Sequence, residues 1–316
     1  MIDGPRIIYF DQNAWIALAK GAWDKARYQD EHTTLLHVIE LVHYRGYVVP
    51  LSFTNIYETA KINDPVRRAT LARVQSVVSG GRVFRSRRRI LSESLVEFLS
   101  ERYSLRGSTK AEDWFLSNLW FEAVADYSLE TNDHELPQAY ICYAKSHPGE
   151  ALFRYLTESD EEVRQEAVRR FTSGSSALIS RIEKRRALLV ADPLPLRRRV
   201  YSAQLFLDEL DFILETARQV GLPWRQVSDL GSSTARALPI EVPLLHVERE
   251  LAIRLEDQRR QITENDLRDM SAFTIALPLS TVIVAEKPFV NMALQAGLGT
   301  KYGTVLLTSI FELNQL

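Results

Sequence analysis

Asp11, Glu58, Asp269 and Glu286 are the residues whose types and places in this sequence best suit chemistry. The chain has 41 Asp plus Glu, so a positional rule must select among them. In open parallel α/β sheets, ligands bind beyond the carboxyl ends of the strands. Asp11 directly follows the apolar run Arg6 to Phe10, and Glu286 directly follows Thr281 to Ala285. Glu58 falls in the first turns after Tyr47 to Leu51, and Asp266 and Asp269, three apart, share one helix face. Carboxylates that converge raise one another's pKa unless a cation sits between them. Hard divalent ions, Mg²⁺ or Mn²⁺, take oxygen donors of this kind. Each residue also has a plainer reading. Asp11 suits a helix N-cap, Glu58 a surface pair with Lys61, Asp266 helix-start chemistry, and Glu286 an ordinary first helical turn. Their shared arrival at one sheet edge is what sets them apart.

The elements that must position them follow from periodicity. Arg6 to Phe10 is short and rich in Ile and aromatics, which predicts a buried strand. Residues 12–20 have helical spacing, with Gly21 as the expected stop. A second helix over 32–44, Gly46, a strand Tyr47 to Leu51 and a helix from Thr54 to Lys61 continue the alternation. The last seventy residues repeat it, with helix 264–277, strand Thr281 to Ala285, helix 288–296 and strand Thr304 to Thr308. Between about 83 and 240, segments such as SESLVEFLSERY and AQLFLDELDFILETARQVG carry three- and four-residue spacing and no convincing strand. Breaks are expected at Ser79-Gly80-Gly81, Ser173-Gly174-Ser175-Ser176, Pro193-Leu194-Pro195 and Gly231-Ser232-Ser233. The expected architecture is a parallel-sheet α/β core formed by residues 1–82 and 245–316, split by an all-α insertion over 83–244.

At these residues the chain resembles the PIN-domain nucleases. IIYFDQNAWIALAKG is similar to their opening, PLSFTNIYETAKI to their second motif with Glu58 as its acidic residue, and NDLRDMSAFTIALPLSTVIVAEKPFVNMALQAG to their third and fourth. GTVLLTSIFEL is similar to their last strand and final turn. Three departures stand out: Glu286 replaces the more usual Asp, Ala285 precedes it where Thr or Ser is common, and the insertion is larger than in compact toxin-type members. The resemblance implies a PIN-like (Rossmannoid) fold and metal-dependent cleavage of phosphodiester bonds, usually in RNA, leaving 5′-phosphate and 3′-hydroxyl ends. It implies that Asp11, Glu58 and Asp269 hold one Mg²⁺ or Mn²⁺, that Glu286 and Asp266 assist a second ion or orient water, and that Asn13 orients a ligand. An inhibitor, antitoxin or effector partner would fit the same resemblance. The competing expectations are a non-catalytic PIN-like RNA-binding protein and a haloacid-dehalogenase-like phosphatase. The latter also begins with a strand ending in Asp but wants a second Asp where this chain has Asn13.

Composition narrows the classes further. With 39 Lys plus Arg against 41 Asp plus Glu, bulk charge cannot attract nucleic acid or membrane, so any basic contact is local. Arg82, Arg85, Arg87, Arg88 and Arg89 form the densest such cluster, suited to phosphate; pairing with Glu93 and Glu97 is the alternative. Arg197 to Arg199 form a second cluster. A single cysteine, Cys142, excludes an intramolecular disulfide framework and a cysteine zinc site. The six histidines show no tight ligand spacing, and Trp114, Phe115, Leu119 and Trp120 read as core of the insertion rather than a base-stacking platform. No phosphate loop, nucleophile elbow or dinucleotide fingerprint is present. No apolar run approaches the ~18 residues of a membrane span, and the start lacks a secretory signal. A cytoplasmic location is therefore expected. Self-association through the insertion is left open.

Overall fold

The computed structural model describes residues 4–105, 110–124, 136–162, 192–258 and 260–315, together with 164–165, 169, 176, 179–180 and 182–187. His134 and the expected break at Ser173 to Ser175 lie outside them. By packing, the chain divides into two units. The first takes residues 1–86, 112–174 and 279–316, and the second takes 87–111 and 175–278.

The first unit is built on a four-stranded parallel sheet. Its strands are β1 (Arg6–Phe10), β2 (Tyr47–Val48), β5 (Val282–Val284) and β6 (Val305–Leu307), in the order β2-β1-β5-β6. Ile7 to Phe10 and Val282 to Val284 are buried without a break, as a strand covered on both faces requires. The register pairs Phe10 with Val284, and Val284 with Leu307, so three strands end side by side. The chain runs outward from β1 to β2 and, after β5, outward the other way to β6. The reversal between β1 and β5 is the switch point where an open sheet leaves a crevice for ligands.

Helices α1 (Gln12–Trp23), α2 (Gln29–Arg45), α3 (Phe53–Ala60) and α4 (Pro65–Ser79) follow the first strands. Trp15, Leu18, Val38, Leu41, Ile56 and Leu71 pack with Ile8, Phe10, Val282 and Val284 into one core. Two expectations shift here. Helix α1 runs through Gly21 to Trp23 instead of stopping at the glycine. Gly21 is there because α2 crosses it: a Cβ would lie 2.5 Å from the backbone of Glu31 and His32. The second strand is also shorter than Tyr47 to Leu51. After Val48 the chain leaves β1, and Leu51 pairs with the segment at Val83, donating to Arg82 O at 3.0 Å and accepting from Phe84 N at 2.8 Å.

The middle of the chain departs further from expectation. A short antiparallel pair, β3 (Val83–Phe84) with β4 (Leu116–Ser117), stands where only helices were expected. Helices Gln138–Ser146 and Pro148–Glu158 belong to the sheet unit, with Leu152 and Leu156 in its core. Conversely, helices Pro243–Asp257 and Glu264–Ala276, expected in the core, belong to the helical unit. The expected boundaries of 1–82 with 245–316, and 83–244, are thus redrawn. The reason is packing: Pro243–Asp257 lies against Glu264–Ala276, Leu194–Asp208, Val227–Glu241 and Arg87–Tyr103. Its Leu244, Leu245, Leu251 and Leu255 are accordingly buried. No helix among the described residues is long and apolar enough to cross a membrane.

Candidate functional site

The carboxyl edge of the sheet gathers its polar side chains through backbone geometry first. Asp11 follows β1, and its N–H donates to Val284 O at 3.0 Å, which fixes it against the end of β5. It turns the chain into α1 as an extended N-cap, its side chain accepting from Ala14 N at 2.8 Å. The backbone N–H of Glu286 donates to the same carboxylate. Glu286 is in turn the extended N-cap residue of helix Lys287–Gln295. Two helices thus begin at this edge and aim their positive ends toward it.

Electrostatics at Asp11 is unbalanced. Burial, with the neighbouring charges of Glu286 and Glu58, pushes its carboxyl up to about 6, and the two backbone hydrogen bonds offset only part of this. Glu58 is partly buried on α3 and Glu286 is exposed. Asn13 Nδ2 donates to Glu286 Oε1 and so orients that carboxylate. The structure therefore brings together Asp11, Glu58, Glu286 and Asn13 within the first unit.

A residue outside the expected set fixes the edge from below. Asn55 is 1% exposed; its Nδ2 donates to Phe10 O at 3.3 Å and to Gln12 Oε1 at 3.4 Å. Ser52 and Asn55 close a reciprocal capping box at the start of α3. Gln12 Nε2 donates to Thr59 Oγ1 at 3.0 Å, and Thr59 Oγ1 donates to Gln75 Oε1 at 2.9 Å, tying α1, α3 and α4 together. The Ser-x-x-Asn spacing after an apolar run was a legible sign of the cap, though not of its hold on β1.

Asp266 and Asp269 are carried by the second unit, on helix Glu264–Ala276. Asp266 performs the helix-start role rather than standing open for an ion. It accepts from Thr263 N at 2.7 Å and Thr263 Oγ1 at 2.8 Å, and it pairs with both terminal nitrogens of Arg260. Asp269 is partly buried one turn further on, where its charge acts on Arg260.

The arginines expected to face phosphate are engaged within the protein. Arg82 pairs with Asp113 at 3.2 Å and Arg85 with Glu122 at 3.4 Å. In the second unit, Arg87 pairs with Glu209 at 2.8 Å and Glu248 at 2.6 Å, Arg88 with Glu215 at 3.9 Å, and Arg89 with Glu93 at 2.9 Å. The five are divided between the two units, and each faces a carboxylate of its own unit.

Oxygen donors and unoffset negative charge at Asp11 suit a hard divalent cation in kind. Among the described residues, however, no three His, Cys, Asp or Glu side chains are gathered closely enough to hold one. The edge is an open set of donors, and Asp11 is its partly buried member, whose carboxyl burial raises most. No protein-family model, curated protein or solved structure matches the chain.

Proposed function

We propose that this chain is a metal-dependent endonuclease with a PIN-like core, acting on phosphodiester bonds, RNA foremost, at the edge formed by Asp11, Glu58 and Glu286. The observation that carries the reading is the carboxyl of Asp11. It sits at the switch point of a parallel sheet, raised to about 6 by burial and by two further carboxylates. Perturbed groups cluster at functional sites, and the switch point is where open parallel sheets take their ligands.

In this reading Asp11, Glu58 and Glu286, an open set of donors without an ion, would be drawn together to hold Mg²⁺ or Mn²⁺. When bound, the ion supplies a water of lowered pKa and neutralises charge on phosphoryl oxygens. Asp11 binds through a side chain already fixed by Ala14 N and Glu286 N. Asn13 holds Glu286 in orientation, and Asn55 keeps the end of β1 in register with the start of α3.

The test is cleavage of single-stranded RNA by the full chain in Mn²⁺, with Asp11→Asn and Glu286→Gln beside wild type. Activity of Asp11→Asn is expected to fall by more than the ~10–100-fold lost when an outer-shell partner is removed. Undiminished cleavage by Asp11→Asn overturns the proposal. Mn²⁺ binding to wild type with no cleavage of RNA or DNA points instead to the non-catalytic, nucleic-acid-binding reading.

A further inference from the structure

A second place in the molecule pairs a cavity with excess charge, far along the sequence from the carboxylate edge and contained within the helical unit. Its volume is about 560 Å³, inside the ~300–1,000 Å³ range of small-molecule sites. Helix Leu194–Asp208 contributes Arg198, Arg199, Ser202 and Phe206, spaced so that one helix face lines the cavity. Helix Val227–Glu241 contributes Arg236 and Ile240, and helix Pro243–Asp257 contributes Arg249. Among the described residues, no acidic side chain lines it.

Four guanidiniums at one cavity repel each other, and the fold offsets only part of that repulsion. Glu250, 2% exposed, takes Arg198 at 2.9 Å, Arg249 at 2.9 Å and also Arg254 at 2.9 Å. Burial alone would raise its carboxyl; the hydrogen bonds of Arg198 and Arg254 and the charge of Arg249 bring it down to about 2. A single negative charge is thus shared among three cations. Arg249 is itself 7% exposed and is held further by Ser202 Oγ at 3.2 Å, so its guanidinium is fixed before any ligand arrives. Arg199 and Arg236 are exposed and have no acidic partner among the described residues. The arrangement differs from that of Arg87, Arg88, Arg89 and Arg197, each of which faces a carboxylate.

The walls complement this charge. Between the arginines the lining is Phe206, Ile240, Ala203 and Ala235. A ligand that fits both features has an anionic head for planar, bidentate donors and a flat or apolar body for the walls. Inorganic phosphate leaves the walls unused, and an uncharged base leaves the guanidiniums unmet. We propose that this cavity binds a nucleotide, its phosphate at Arg199 and Arg236 beside Arg198, and its base against Phe206 and Ile240. The site stands apart from the nuclease reading, because none of its residues belongs to the carboxylate edge.

The experiment is calorimetric titration of the full chain with adenosine 5′-monophosphate, adenosine, inorganic phosphate, a 5′-phosphorylated tetraribonucleotide and dodecyl phosphate. Metal is withheld with EDTA so that cleavage does not intervene. Saturable binding of the monophosphate is expected, with adenosine weaker by about tenfold or more for want of the charge-assisted contacts, and inorganic phosphate weaker by about tenfold or more for want of the apolar ones. The Arg199→Ala/Arg236→Ala variant is expected to lose the same factor. Both side chains are exposed, so the helices keep their packing, and Arg236→Glu serves as a second variant. A tetranucleotide that binds tighter than the monophosphate, and is weakened by the same variants, identifies a strand end as the source. The reverse order identifies a free nucleotide. Absence of saturable monophosphate binding overturns the proposal. So does equal affinity in the variants, or dodecyl phosphate binding tighter than the nucleotide.

Discussion

Asp11→Asn separates the electrostatic account of the site from its chemistry. The Asp11 carboxyl lies at about 6 in the folded chain against 3.8 unperturbed. A folded-state value raised in this way favours the protonated form, so stability from this group is complete below about 3.8 and is lost as pH rises through about 6. At about 1.4 kcal/mol per pKa unit, ionised Asp11 costs the fold at most about 3 kcal/mol above pH 6. The carboxyl is only partly buried by surface exposure, and discounting for solvent on its open side leaves about 1–2 kcal/mol. Asn removes the charge and keeps the cap, because Asn and Asp serve equally at that position. Asp11→Asn is therefore expected to melt about 2–8 °C above wild type at pH 8 in EDTA. The gain should shrink steadily between pH 6 and 4, and adding Mn²⁺ should raise wild type toward the variant. Thermal melts at pH 4, 6 and 8 with and without Mn²⁺ measure it. A variant no more stable than wild type at pH 8 in EDTA would refute the claim that Asp11 is held ionised at a cost.

Other perturbations test the frame around the site. Asn55→Ala removes the capping box and the bond to Phe10 O and should lower stability by about 1–3 kcal/mol in urea unfolding at pH 7. Glu250→Gln leaves Arg198, Arg249 and Arg254 without their shared charge and should cost about 3–5 kcal/mol. Because the Glu250 carboxyl is depressed to about 2, its contribution is present above its ordinary value and fades as pH falls toward 2. Wild type and Glu250→Gln should therefore converge in stability toward pH 2 when followed by urea titration. Gly21→Ala drives a methyl into the backbone of Glu31 and His32, and a loss of at least about 1–3 kcal/mol is expected in thermal melts.

Much of the sheet was legible because its central strands are continuous apolar runs that end abruptly at an acidic residue. The runs before Asp11 and before Glu286 are both found as strands, within a residue or two at each end. The pair β3 and β4 was not legible, since two-residue strands show no period at all. Gly21 reads as a helix stop in one dimension and becomes a crossing point only once α2 is laid over it. The fate of the arginine cluster was also hidden. Partners of Arg87 lie 122 and 161 positions away, beyond any local pattern. Asp266 illustrates the opposite case, in which the plain helix-start reading was available from Thr263 to Asp266 and describes what the residue does.

The sheet has a history written into its strand order. Strand β5 lies between β1 and β6, and it arrives late: Asn13 and Glu286 are 273 positions apart. At ~5–20 residues per second, a ribosome needs roughly 15–55 s to travel from one to the other. Until β5 is made, the side of β1 that it covers in the finished sheet lacks its strand, and an uncovered strand edge is a hazard for a folding chain. The carboxylate edge cannot exist until β5 and Glu286 are made. A chain with the proposed activity would therefore be inert beside messenger RNA until the segment carrying Glu286 has been made.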